Sequence, residues 1–315
     1  MDDVMAYPKK VCEILIREGM LPAMAACEAS SIHVDSTSIA SCVDYTIVNK
    51  WVLENRSSYS EVNKWLHFLT KTRKRFAVVQ EQMGYWNNDS SHSLGHDKWS
   101  VGWAGDVLMP IANYMYLLRS WGVEGDLLEC GAFKGSSTAC LSLVCKDLDF
   151  HLFCADSFEG LPSEEGHYDK GDFIGSLDEV KHNVGKFGAS DDVTYIPGWY
   201  SDSLKEFPHS LALLWVDVDL QASTMDLLSN VYGKISPNGV IFSDGFSEGV
   251  DYDGEKIRKT GGEPAGFYRF FNESKLDYKT VPGGSKGLAL IIPECRENET
   301  IRYDGRAFME LLHQL

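Results

Sequence analysis

The chain is short of positive charge. Its 29 Lys and Arg stand against 46 Asp and Glu, a formal net charge of −17 over 315 residues. A phosphate-backbone partner needs a basic face, so no nucleic-acid partner is expected, although a nucleotide-sized ligand held by local donors remains open. No apolar run approaches the ~18–20 residues of a membrane-crossing helix, so no membrane partner is expected either. The opening Met1-Asp2-Asp3-Val4 lacks the basic and apolar regions of a signal peptide. The eight cysteines form no CxxC pair and no zinc-type Cys/His spacing. Cys130 and Cys154 fall in apolar runs, where a reduced thiol packs as a small hydrophobe. These absences predict a reduced, cytoplasmic protein. Internal repeats and low-complexity segments are absent too.

What is present reads as an α/β protein. The composition, 44% hydrophobic and 24% charged, is that of a globular chain long enough for a sizeable core. Residues 1–75 carry helical spacing of apolar residues (Val11, Ile14, Leu15; Trp65, Leu66, Phe68, Leu69), and 84–100 is polar and hinge-like. Another apolar helical stripe covers 107–121. From Gly125 onward short apolar runs alternate with helical patterns, as in βαβ units around a parallel sheet. Strands are expected at 126–130, 150–155, 193–196, 211–217 and 239–243, with helices near 136–146, 176–187, 222–232 and 264–274. A last pair of strands, 277–281 and 287–292, brackets Pro282-Gly283-Gly284-Ser285. The expectation is a doubly wound, mostly parallel seven-stranded sheet over 101–315, preceded by a helical extension, 1–100, serving as lid and acceptor-recognition region.

In open α/β sheets ligands bind at the carboxyl ends of the strands, so the residues on which each strand ends matter most. The first ends on Glu129-Cys130-Gly131 and the second on Asp156-Ser157. The third runs into Gly198-Trp199-Tyr200, the fourth into Asp217-Val218-Asp219, the fifth into Ser243-Asp244-Gly245. Burying so many carboxylates without partners is costly, so this edge should face a polar cleft. Gly131 and Gly135 permit a tight strand-to-helix turn, and Ser136, Ser137 and Thr138 offer donors at a helix N-terminus. A purely structural glycine turn would look the same. Asp156 stands where a carboxylate accepts from ribose hydroxyls, or else caps the segment after it. Trp199 can stack on an adenine or serve as a core or lid residue.

At the later ends, Asp217 and Asp244 offer hard oxygen ligands for Mg²⁺. Asp219 can take a proton from a hydroxyl, or cap the helix that follows. His151, His182 and Lys170 are scattered; His167 is the best basic candidate for catalysis, because the loop 160–175 lies over the cleft. Neither GxGxxG nor GxxxxGK[ST] is present at the first turn, which weakens nicotinamide and ATP readings. With carboxylates ending the later strands, the turn reads as a seat for the sulfonium cofactor S-adenosylmethionine.

Several strings together resemble the macrocin O-methyltransferase family, magnesium-dependent enzymes that methylate sugar hydroxyls of natural products. They are Gly125-Asp126-Leu127-Leu128-Glu129-Cys130-Gly131 with Lys134-Gly135, and Asp156-Ser157-Phe158-Glu159-Gly160-Leu161-Pro162. Gly198-Trp199-Tyr200, Asp217-Val218-Asp219-Leu220 with Ser223-Thr224, and Ser236-Pro237-Asn238-Gly239-Val240 complete the set, in order across roughly 105–292. The resemblance implies a class I methyltransferase fold, one antiparallel strand beside six parallel ones. It implies S-adenosylmethionine lined by Glu129, Gly131, Ser136, Ser137, Asp156, Ser157, Gly198, Trp199 and Asp217. Asp217 and Asp244 would hold Mg²⁺, with Asp219 as general base; to these the chain's own pattern adds Ser243 at the metal site and, from its loop position, His167 as a second catalytic group. The implied partner is a small-molecule hydroxyl acceptor, a sugar or glycosylated metabolite, and the implied assembly a homo-oligomer.

Departures from the family pattern are specific. The fifth strand of the family ends on paired acids, where this chain has Ser243-Asp244, so a hydroxyl replaces one metal ligand. Gln221-Ala222 stands where Tyr-Glu is usual, and the Gly- and acid-rich segment 247–263 is longer and reads as a substrate lid. Two alternatives accompany the sugar reading. One is a catechol-type metal-dependent O-methyltransferase, with Phe246, Trp103 or Trp199 gating a planar acceptor. The other is a non-catalytic scaffold that keeps the fold, favoured only by Ser243.

Overall fold

The computed structural model describes residues 56–83, 100–252, 256–283 and 287–293. Expectations for 1–55 and for the hinge 84–99 lie outside the described residues, as does the Trp103 side chain. Two helices lead in: α1 (Arg56–Met83) and α2 (Ser100–Ser120). Then come β1 (Asp126–Cys130), α3 (Ser136–Leu148), β2 (Leu152–Asp156), α4 (Leu177–Phe187) and β3 (Val193–Pro197). A four-residue turn of helix, α5 (Tyr200–Ser203), precedes β4 (Leu211–Val216) and α6 (Gln221–Val231). The order closes with β5 (Ile235–Phe246), α7 (Gly262–Ser274), β6 (Tyr278–Pro282) and β7 (Gly287–Pro293).

One seven-stranded sheet runs in the order β3-β2-β1-β4-β5-β7-β6. β7 is antiparallel to both of its neighbours, and the remaining pairings are parallel. The apolar runs explain why: a parallel strand is covered on both faces, so β4 is buried from end to end. Alternate side chains feed two cores. Leu127, Leu213, Trp215, Val240 and Phe242 join α1, α2 and α3 on one face. Leu128, Leu214, Val216 and Ile241 join α6 and α7 on the other.

Helix α1 belongs to the first of these cores. Leu69, Phe76, Val79 and Met83 are buried against the same cluster as the strands, and the buried Trp65 Nε1 donates to Asn113 Oδ1 at 2.8 Å. The segment 56–83, on the extension side of the expected boundary, thus packs on α2 and α3 and shares the core that they form with the sheet. Several element limits differ from the sequence reading: α2 begins at Ser100 rather than 107 and β5 ends at Phe246 rather than 243, and two starts differ for local reasons. β2 begins at Leu152 because the His151 amide turns to Asp126 Oδ1, 2.8 Å away. β5 starts at Ile235 rather than 239 because it pairs with Leu211 before a register irregularity at Asn238, where φ is +68°. Nor did the apolar pattern foreshadow α5, which is too short to carry a period.

Strand order reverses at β1, between β2 and β4, which is where a doubly wound sheet opens a crevice at its carboxyl edge. Register aligns the ends across that edge. Cys130 pairs with both Ala155 and Val216, and Val216 with Ser243, so Gly131, Asp156, Asp217 and Asp244 follow in one row. Gly131 sits at φ +95°, and a Cβ there would lie 1.7 Å from the Asp217 carbonyl oxygen. Replacing it with alanine combines left-handed strain with a backbone collision. Gly131→Ala should therefore destabilise the fold by roughly 2 kcal/mol or more, read as a lower urea midpoint. Gly135→Ala, whose Cβ would meet the Val180 side chain at 3.0 Å, should cost less.

Candidate active site

The first turn is a backbone cage held by a carboxylate. Asp156 Oδ2 accepts from the amides of Ala132 (2.7 Å) and Phe133 (3.3 Å), and its Oδ1 accepts from the Phe158 amide (2.7 Å). Both sequence readings of Asp156 meet here: it turns the chain at its own strand end and ties that end to the turn after β1. Ser157 donates to the Gly160 carbonyl at 3.0 Å and accepts from the Glu159 amide at 3.1 Å, shaping the start of the following loop. Gly135 is the left-handed N-cap of α3 and has no side-chain cap, so the amides of Ser136 and Ser137 open that helix. Phe133, Phe158, Phe173 and Asp219 hold left-handed conformations at φ 47°, 58°, 57° and 60°. Such strain concentrates along functional edges.

Glu129 is fully buried, and neither carboxylate oxygen has a hydrogen-bond partner. Burial pushes its carboxyl up to about 7; the Ser137 and Thr138 hydroxyls nearby offset part of this without closing a hydrogen bond onto it. On the far side of Asp156, the Gly198 amide donates to the Asp156 carbonyl at 2.9 Å, and Trp199 is 37% exposed. That exposure excludes the core reading of Trp199. Phe246, by contrast, is buried against Tyr252 and Phe267, so it cannot act as an aromatic gate.

A second cluster occupies the ends of β4 and β5. Carboxylate oxygens of Asp217, Asp244 and Glu263 lie within 4.8 Å of one another. Asp217, Asp219 and Asp244 are recessed but partly open, whereas Glu263, in the first turn of α7, is almost fully buried. Burial and then the neighbouring carboxylates drive Asp217 and Asp244 far above the usual carboxylate range. Burial raises Asp219 to about 6, against a hydrogen bond from the Tyr168 hydroxyl. Ser243 does not stand free as a third oxygen: its hydroxyl donates to Glu263 Oε2.

The loop after β2 covers this cluster. Glu165 accepts from the Gln221 amide at 3.0 Å and from the Gly262 amide at 3.1 Å, fastening the loop to the first residues of α6 and α7. The N-cap of α6 is Leu220, without a side-chain cap, so Asp219 does not take the capping role that its position allowed. His167 is exposed, its ring 4.1 Å from that of Tyr168. Tyr168, one residue on, is the member of this loop that meets Asp219. The segment after β5 folds back through a Tyr252–Ile257 bridge, and both of those side chains enter the core.

Sequence reasoning missed Glu263, Glu165 and Tyr168. An acid at the start of a helix was the one available signal for Glu263, but nothing in the chain indicates that α7 begins beside β4. Tyr168 was masked by its histidine neighbour, and Glu165 by a run of exposed acids.

A family model described as macrocin-O-methyltransferase (TylF) matches residues 41–252. The chain belongs to the macrocin O-methyltransferase family. It is 32% identical over 173 residues to the 8-demethyl-8-(2,3-dimethoxy-alpha-L-rhamnosyl)-tetracenomycin-C 4'-O-methyltransferase of Streptomyces olivaceus, across 49% of this chain and 66% of that one. It is also 32% identical over 143 residues to the mycinamicin III 3''-O-methyltransferase of Micromonospora griseorubida, across 40% of this chain and 56% of that one. The matches therefore span less than two thirds of either relative. The solved O-methyltransferase NovP superposes with a TM-score of 0.55 at 22% identity, covering 74% of this chain and all of NovP. That likeness shows the fold, the class I methyltransferase sheet expected from the sequence. Among the described residues no helix of the macrocin family member is long and apolar enough to cross a membrane.

The buried Glu129 sets a pH dependence. Its carboxyl is raised from an ordinary 4.5 to about 7, so the native state holds the proton more tightly than the unfolded chain. Its contribution to stability is fully present below about 4.5 and is lost as pH rises through about 7. In the ligand-free protein the melting temperature should fall over that window, and Glu129→Gln should flatten the fall.

Proposed function

We propose that the chain is an S-adenosylmethionine-dependent O-methyltransferase that transfers a methyl group, with a divalent cation assisting, to a hydroxyl of a sugar or glycosylated small molecule. The observation that carries this reading is the pairing of two sites on one sheet edge: an amide-lined turn at β1 and β2, and clustered carboxylates at β4 and β5. The names of the relatives, which are sugar-directed O-methyltransferases, support the acceptor class.

The residues present fit the cofactor. A carboxylate has about four acceptor positions; at Asp156 three are taken by amides and the fourth meets only the Ser157 hydroxyl at 3.5 Å, a long contact that a ribose hydroxyl can replace. Glu129 keeps both oxygens unpartnered at a buried position, which suits a ligand bringing positive charge or donors. Trp199 presents an exposed indole next to Asp156 for a base to lie against. Gly131, Ser136, Ser137, Ser157 and Gly198 complete the wall through backbone and hydroxyl groups. When bound, S-adenosylmethionine supplies an electrophilic methyl group on sulfonium sulfur.

The cation site fits as well. Asp217 and Asp244 are partly open and close together, their carboxyls raised first by burial and then by the neighbouring carboxylates, an electrostatic cost that a divalent cation would relieve. When bound, Mg²⁺ would polarise the acceptor hydroxyl. Asp219, raised to about 6, is matched to accepting the hydroxyl proton near neutrality, and Tyr168 holds its carboxylate in place. The acceptor oxygen then forms its bond to the methyl carbon as the carbon–sulfur bond breaks, and the proton stays with Asp219. His167, exposed beside Tyr168 on the covering loop, is the second candidate for contact with the acceptor.

Calorimetry with S-adenosylmethionine tests the reading before any acceptor is identified: binding in the micromolar range is expected, and no binding would refute it. With a panel of glycosylated acceptors, Asp219→Asn should bind cofactor normally and turn over roughly 10²-fold more slowly. Chelation with EDTA should abolish transfer, and Mg²⁺ should restore it; full activity in chelator would remove the cation from the reaction.

A further inference from the structure

We propose that Glu263 is a positioning residue that takes over, from outside the metal coordination sphere, the work of an acid missing from the end of β5. The inference rests on the metal-assisted reading above. Its basis is the set of donors around one carboxylate. Glu263 Oε1 accepts from the amides of Val218 and of Asp219, the latter at 3.0 Å. Oε2 accepts from the Ser243 hydroxyl and from the Gly245 amide at 3.3 Å. Four donors fill the four acceptor positions of a carboxylate. Although its oxygens lie within 4.8 Å of those of Asp217 and Asp244, no lone pair is left to coordinate a cation.

What those four donors have in common is their location. Two belong to the loop leaving β4, immediately after Asp217, and two to the end of β5, on either side of Asp244. Glu263 therefore ties together the two strand ends that present the metal-facing acids. It also anchors Asp219, whose backbone holds the left-handed conformation at φ 60°, by accepting its amide and the one before it. A Cβ on Gly262 would lie 2.6 Å from the Asp219 carbonyl oxygen, so the start of α7 presses on the same residue from the other side. Ser243, by donating to Glu263, couples its strand to this anchor. The serine that stands in place of an acid is thus accounted for: the negative charge comes from α7, one layer back.

Mn²⁺ binding followed by electron paramagnetic resonance on the full-length protein tests this, alongside calorimetry with S-adenosylmethionine. Glu263→Gln keeps the size of the side chain but sets an amide NH₂ against two donors. It should weaken Mn²⁺ binding about tenfold or more, the usual cost of losing an outer-shell partner, and leave S-adenosylmethionine affinity unchanged. Ser243→Ala removes one donor of four and should weaken Mn²⁺ binding by less. Unchanged Mn²⁺ affinity in Glu263→Gln overturns the proposal, and so does a parallel loss of both affinities, which would mark a merely structural residue. A larger loss in Ser243→Ala than in Glu263→Gln would make Ser243 a direct ligand, again overturning it. If Glu263→Gln fails to fold, unchanged Mn²⁺ affinity in Ser243→Ala is sufficient to reject the idea. Wild-type protein that binds S-adenosylmethionine but no Mn²⁺ would sink the metal reading and this proposal with it, while methyl transfer stands; binding of neither would sink both.

Discussion

Everything at the carboxyl edge of the sheet answers to one constraint: many carboxylates converge where burial strips them of solvent. Glu129, Asp156, Asp217, Asp219, Asp244 and Glu263 are each raised above the ordinary carboxylate range, with burial the first cause in every case. The fold meets this in two ways. Asp156 and Glu263 are solvated by backbone amides, and so become structural anchors of the two halves of the site. Glu129, Asp217 and Asp244 are left unsatisfied or mutually repelled, and carboxylates in that state are candidate ligand positions.

The division also accounts for the shape of the chain around the site. An amide can solvate a carboxylate only where the backbone turns its N–H inward, which is why left-handed residues gather at 133, 158 and 219. Glycine is demanded where two main chains touch, as at Gly131 against Asp217 and at Gly175, where a Cβ would lie 1.9 Å from the Phe133 carbonyl oxygen. The cost of those turns is borne by two continuous cores, one of which α1, α2 and α3 help to build. The site is precise because the layers behind it are apolar and closely fitted.

The sheet was legible because parallel strands buried on both faces leave unbroken apolar runs, and β4 and β1 are the plainest of these. The row of strand-end acids followed from the rule that such ends face the ligand. Glu263 was not legible, since its function depends on where α7 begins in space. Glu165 and Tyr168 were hidden for a related reason: a loop carries no period, so no pattern says which of its residues reaches the cleft. The interior cysteines at 130 and 154 behaved as small hydrophobes, both free and buried.

Glu165 leaves one consequence for how such a protein can change over time. Its carboxylate grips the main-chain amides of Gln221 and Gly262, not their side chains. The contact is therefore indifferent to which amino acid stands at 221, proline excepted. Side chains at the head of α6 are free to drift while the covering loop stays fastened, so the surface they form and the fastening beneath it are inherited separately.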